Sequence, residues 1–171
     1  TDRAWDAVVD GAAGSDIYHR SGYHAFAAAR GEGEARLLVY REGDAFIALP
    51  MLLRPLPGTA AGSGRDATSV YGYPGPLASP GLPAGMPGRF AGAATSFLAG
   101  EGVVALFTRL NPLLDQLPVA AAAGTLVSHG STVSIDLAAD VAEQLAGYRS
   151  NHRRDLRRLR AAGFTAATVP L

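Results

Sequence analysis

The chain has 171 residues, 48% hydrophobic and 18% charged, and its 15 basic and 15 acidic groups cancel to a net charge of zero. That length suits one domain with a core that needs no cross-links. The lack of Cys excludes disulfide frameworks, thiolate nucleophiles, Cys-ligated zinc and iron–sulfur clusters. Apolar runs such as Phe46 to Leu53 fall far short of the roughly 18 to 20 residues of a membrane helix, which predicts a soluble, cytoplasmic protein with no membrane span.

In chain order, Trp5, Val8, Val9 and Ala12 recur at helical spacing over residues 4–13, with Gly14 and Ser15 as the stop. A second helix is predicted over 22–30, with Ser21 as its N-cap and Tyr23, Phe26 and Ala27 on one face. Residues 35–42 and 45–54 read as a β-hairpin about Gly43-Asp44, and Pro50 points to an edge position or a bulge. Residues 55–66, mostly Pro, Gly, Ala and Ser, read as an exposed loop. A third strand is expected over 67–71, a Pro/Gly-rich connection as far as Gly88, a helix over 89–100, and a fourth strand, buried on both faces, over 103–109. Asn111-Pro112 turns the chain. Residues 131–137 alternate like a strand, Asp140 caps a helix, a basic helical stretch runs to Ala162 with Gly163 as its stop, and 164–169 reads as a last strand. These elements sum to an α/β fold.

Every basic residue is Arg, and six of them lie within residues 149–160 against one acid, Asp155, leaving nine Arg against fourteen acidic groups elsewhere. On a helical wheel Leu145, Tyr148, His152, Leu156 and Leu159 form an apolar stripe, beside a row of Arg149, Arg153, Arg157 and Arg160. Guanidinium forks in a row suit phosphates, of RNA or of a nucleotide-linked substrate. The competing reading is a solvated face with Asp155 paired to Arg158. His152, on the apolar stripe, reads as a packed core histidine.

A second candidate is Ser69-Val-Tyr-Gly-Tyr-Pro-Gly-Pro-Leu77, a stiff turn at a strand's carboxyl end, where open α/β sheets bind ligands. Arg30-Gly-Glu-Gly-Glu-Ala35 fits a pyrophosphate-binding pattern of acyltransferases, but that pattern works between a strand and a following helix, and here the order is reversed. Nucleophile-elbow, Walker and dinucleotide-binding patterns are absent, the four His are scattered, and neither Asp136 nor Asp155 is spaced to serve a nucleophile. No catalytic centre, metal site or cofactor is expected from the residues alone.

The hairpin Leu37-Leu-Val-Tyr-Arg-Glu-Gly-Asp-Ala-Phe-Ile-Ala-Leu-Pro50, the Tyr71 to Pro76 loop and Tyr148-Arg-Ser-Asn-His-Arg-Arg-Asp-Leu-Arg-Arg158, in that order, resemble the first half of a Fem-type aminoacyltransferase, a family built on tandem GNAT-like domains, with BioF-like acyltransferases as relatives. The resemblance implies that residues 1–171 form one GNAT-like domain, a mixed and mostly antiparallel sheet with helices on both faces, and that a second such domain follows. It implies transfer of an amino acid from aminoacyl-tRNA to the amine of a cell-wall precursor or small natural product, with Tyr23, Tyr71, Tyr73, Gly75, Arg149, Arg153 and Arg157 binding substrate. Where the family carries a Lys on the early helix this chain has Ala27 or Ala28, which points away from a nucleotide-linked acceptor. Alone, such a half is expected to be inactive. Two other readings stay open: an N-acetyltransferase that takes its acyl group from acetyl-CoA, and a non-catalytic RNA-binding module working through the Arg149–Arg160 helix. A second copy of the chain is a further expected partner, through apolar surface left by the missing domain.

Overall fold

The computed structural model describes residues 2–59 and 62–168. They form two compact units, Thr1–Ser128 and His129–Leu171.

In the first unit, α1 (Arg3–Asp10) starts where the Asp2 carboxylate accepts hydrogen bonds from the amides of Ala4 and Trp5, at 2.9 and 3.2 Å. A short 3₁₀ turn, Ile17–His19, leads into α2 (Ser21–Ala29). Ser21 is the first residue of α2 rather than its cap. Its hydroxyl donates to Asp6 and accepts from the Asp2 amide, both at 2.9 Å, and so ties α2 to α1. Ser21→Ala would leave two polar partners short in a mostly buried place, so its urea-unfolding midpoint should report a loss of about 1–2 kcal/mol.

The hairpin forms as expected. β1 (Glu34–Glu42) pairs with β2 (Ala45–Thr59) from Glu34↔Leu53 to Glu42↔Ala45, closed by Gly43-Asp44. β2 then goes on through the stretch predicted to be a loop and pairs with β3 (Gly62–Thr68), from Leu52↔Thr68 to Thr59↔Gly62. The third strand therefore begins earlier and ends earlier than 67–71.

The Pro, Gly, Ala and Ser of residues 55–66 suggest a loop, and the placing of the prolines shows how β2 tolerates them. Phe46 exchanges hydrogen bonds with Ser79 next to β4 (Leu77–Ala78), so even-numbered residues of β2 turn their backbone groups toward β4 and β3. The missing donor of Pro50 falls between Ala48, the last partner of β4, and Leu52, the first partner of β3. Pro55 faces the other way, past Leu53, where β1 has ended. Pro50 and Pro55 thus take positions with no ladder bond to lose, and β2 is a central strand in spite of them.

Because β2 is central, both of its faces are covered. Ile47, Leu49, Met51 and Leu53 pack with Met86, Phe90 and Ala94 of α3 (Met86–Gly100). On the opposite face, Phe46 and Ala48 pack with Trp5 and Val9 of α1, and Leu52 with Ala27 of α2. The five-stranded sheet runs β1-β2-β3-β5 with β4 beside β2. It is antiparallel except for β3 and β5 (Val103–Phe107), the parallel pair that α3 connects.

β5 is not buried on both faces. It ends the strand order, and Val104, Leu106 and Phe107 are exposed, at 71%, 40% and 52%. An apolar run does not reveal whether a strand is central or terminal. α4 (Leu117–Ala123), which packs on α3, carries no amphipathic period long enough to have been predicted.

In the second unit, α5 (Val141–Gly147) begins at Asp140, whose carboxylate accepts from the Glu143 amide at 2.9 Å, as expected. Tyr148 and Arg149 then take extended backbone angles, so the basic segment is a separate helix, α6 (Ser150–Ala161), which ends before Gly163. The strands expected over 131–137 and 164–169 are not formed among the described residues: 131–137 and 164–168 are irregular, and Val169 lies outside them. Alternation yields a strand only beside a partner strand, and the described residues of this unit offer none.

Candidate functional site

The Tyr71 to Pro76 loop is clamped by side chains from two distant turns. The Asp16 amide donates to Nδ1 of His19 at 2.9 Å, which leaves the ring proton on Nε2, and that nitrogen donates to the Pro74 carbonyl. The same carbonyl accepts from Nε2 of Gln116 at 2.7 Å. Gln116 in turn accepts from the Asn111 amide at 2.6 Å, and the Asn111 side chain donates to Asp16 at 3.2 Å, closing a ring of contacts. His19, Asn111 and Gln116 are all buried. Burial pushes the His19 pKa below its ordinary value, so the imidazole is held neutral as a single-proton donor.

Sequence reading missed these three residues. Asp16 and His19 have the three-residue spacing of a helix-capping pair, and here they make both reciprocal bonds; that was the one local signal. Nothing local marks Gln116, 42 residues from its partner Pro74.

Two glycines let the loop sit so close. At Gly75 the backbone is left-handed (φ +55°) and a side chain would overlap Gln116; at Gly72 (φ +115°) it would overlap the ring of Tyr18. Tyr18 packs edge-on against Tyr23, at 5.4 Å between centroids, and against Tyr73, at 6.3 Å. Of the residues nominated from sequence, Tyr23 and Tyr73 are thus brought together through a third tyrosine. Gly75 is buried against Gln116, and Tyr71 is 79% exposed at the loop's entrance.

Tyr71 lines a cleft of about 320 Å³, together with Glu32, Arg54, Thr68, Ser69 and Arg109. The cleft lies at the carboxyl ends of the parallel strands, where the Ser69 amide donates to the Phe107 carbonyl at 2.9 Å, the place where such sheets commonly bind ligands. Arg54 is held by Asp66, with Nε donating at 2.9 Å, and Glu32 by Arg30 at 3.2 Å. Among the described residues no carboxylate lies within ion-pair distance of Arg109, whose guanidinium carbon sits 5.4 Å over the Phe107 ring. The buried hydroxyl of Ser69 has no hydrogen-bond partner, and with no base beside it this serine is not an activated nucleophile. A larger hollow of about 570 Å³ between α1 and the hairpin turn holds Arg41, already stacked on Phe46 at 5.3 Å, and Asp44.

The nominated arginines lie in the second unit. Arg149 precedes α6, and Arg153, Arg157 and Arg160 follow along one side of it, all exposed. Arg153 donates to the Ala146 carbonyl at the end of α5, at 2.9 Å, so part of its role is to fix the joint between the two helices. Asp155 meets Arg154 at 3.5 Å rather than Arg158. His152 is exposed, not a core residue, and meets only Tyr148 edge-on at 6.5 Å between centroids. The apolar stripe that was expected to bury it is itself only half-buried at Leu145, Tyr148 and Leu156 and exposed at Leu159. Arg30-Gly31-Glu32-Gly33 follows α2 and precedes β1, the reverse of the order a pyrophosphate loop needs. No helix among the described residues is long and apolar enough to cross a membrane. No family model, no curated protein and no solved structure matches the chain.

Proposed function

We propose that this chain is the acceptor-binding half of a Fem-type acyltransferase, working with a second GNAT-like domain. An amine held beside the Tyr71 to Pro76 loop attacks the ester carbonyl of an aminoacyl-tRNA. The new C–N amide bond replaces the C–O ester bond, and the amine proton passes to the departing ribose oxygen. Such a reaction relies on orientation and on stabilising the developing oxyanion rather than on a protein nucleophile. The observation that carries the reading is the clamped loop: two buried side chains, His19 and Gln116, fix one carbonyl of the loop whose Tyr71 lines a cleft at the ends of the parallel strands. The exposed arginine row on α6 supports tRNA as the donor.

Binding of the intact chain to alanyl-tRNA at increasing salt tests this. Affinity should fall steeply, and replacing Arg153 and Arg157 together by Ala should reduce the log–log salt slope by about 1.4–1.8, at about 0.7–0.9 for each phosphate that is no longer neutralised. Failure to bind tRNA, or an unchanged slope, overturns the tRNA-dependent reading. Binding of acetyl-CoA instead would make the chain part of an N-acetyltransferase.

A further inference from the structure

We propose that the cleft at the carboxyl ends of β3 and β5 binds the carboxylate of an amino acid whose free amine is the acceptor, with Arg109 as the anchor and Tyr71 as a supporting donor. The amine's role rests on the acceptor-site reading above; the carboxylate contact stands on the cleft itself. Three cleft residues carry charge, and two of them are already paired: Arg54 with Asp66, and Glu32 with Arg30. Arg109 is the one charge in the lining with no partner among the described residues, so the cleft matches a single negative charge better than a phosphate dianion. Stacking over Phe107 steadies its planar guanidinium, whose parallel N–H groups fit the two oxygens of a carboxylate.

Ser69 adds an independent observation. A buried hydroxyl without a partner is unusual in a folded protein, and here it lies just behind the cleft wall that Ser69 shares with Arg109, closed off from solvent itself. The exposed Tyr71 phenol supplies another donor at the rim. Glu32 completes the match to a zwitterion: it lines the same cleft, and its carboxylate has acceptor positions left beyond the bond to Arg30, so it can take an ammonium group without giving up that pair.

Titration of the intact, ¹⁵N-labelled chain, followed by NMR at the amides of Ser69, Tyr71 and Arg109, tests the assignment with four probes: glycine, N-acetylglycine, glycinamide and inorganic phosphate. Glycine should saturate in the millimolar range, N-acetylglycine should bind more weakly, and glycinamide should bind at least about tenfold more weakly than glycine. Arg109→Gln should weaken glycine binding about tenfold or more, and Arg109→Lys, which keeps the charge but not the fork, should fall between that variant and the parent. Arg109 is exposed, so amide shifts away from the cleft serve as the check that these variants remain folded. The proposal is overturned if glycinamide binds as tightly as glycine, if Arg109→Gln binds glycine like the parent, if phosphate binds more tightly than glycine, or if no carboxylate moves these amides. Glycine binding without tRNA binding removes the tRNA-dependent reading and leaves this site standing; tRNA binding without glycine binding removes this site alone.

Discussion

Gly75→Val should lower the unfolding free energy by about 2–5 kcal/mol, read from urea denaturation. Two costs add. A branched side chain at φ +55° carries left-handed strain of about 1–2 kcal/mol. It also meets Gln116, so that side chain must leave the Asn111 amide, a buried group then without a partner at about 1–3 kcal/mol, while the Pro74 carbonyl keeps only His19. Gly81→Ala separates the two effects. Gly81 is also left-handed (φ +69°) but has open space around it, so that variant should show the strain alone. If Gly75→Val costs no more than Gly81→Ala, the clamp on the loop does not exist in solution. Glycine binding at the cleft should weaken in Gly75→Val too, because Ser69 and Tyr71 lie only a few residues before the clamped carbonyl.

Lowering the pH from 7 to 4 should destabilise the fold well before most carboxylates are protonated. His19 and His24 are both fully buried, and burial lowers both pKa values, that of His24 to about 4. His24 donates through Nδ1 to the Arg20 carbonyl at 3.2 Å, leaves Nε2 without a partner and packs on Trp5 at 4.8 Å between ring centroids. In the unfolded chain each imidazole gains its proton near pH 6.5, but in the folded chain it resists. The unfolded state therefore binds more protons, and stability that is intact above about pH 6.5 drains away as the pH falls toward 4. His24 alone accounts for on the order of 3 kcal/mol of that loss. Urea midpoints measured across this range should decline, and His24→Phe, which fills the same apolar place without a titrating group, should flatten most of the decline. The Arg89 guanidinium holds Glu42 near pKa 2, so that carboxylate weakens the fold in a separate window, between about pH 4.5 and 2. An unchanged midpoint between pH 7 and 4.5 would show that neither histidine is buried as described.

The legible parts of this fold are those whose signal is local. The hairpin could be read because alternation on both sides of Gly43-Asp44 sets its own register, and the start of α5 because Asp140 bonds to an amide three residues on. Of the strands that failed, 131–137 carries the same kind of alternation, but neither it nor the described part of 164–169 has a neighbouring strand among the described residues to complete its backbone bonds. The opposite error, a loop predicted over 55–66, came from a composition of Pro, Gly, Ala and Ser that does not say which strand lies alongside or which way a proline nitrogen faces.

The candidate site divides the same way. Sequence alone marked the Tyr71 to Pro76 loop, through its tyrosines, glycines and prolines after a strand, and the arginine row, through its helical spacing. Tertiary structure decided that a neutral, buried His19 and a distant Gln116 share the Pro74 carbonyl, that Tyr18 joins Tyr23 to Tyr73, and that Arg109 lacks a charge partner among the described residues. The reason is physical: caps, turns and periodic faces form between residues a few positions apart, whereas a hydrogen-bond ring that spans Asp16, Pro74, Asn111 and Gln116 exists only once the sheet has brought those turns together.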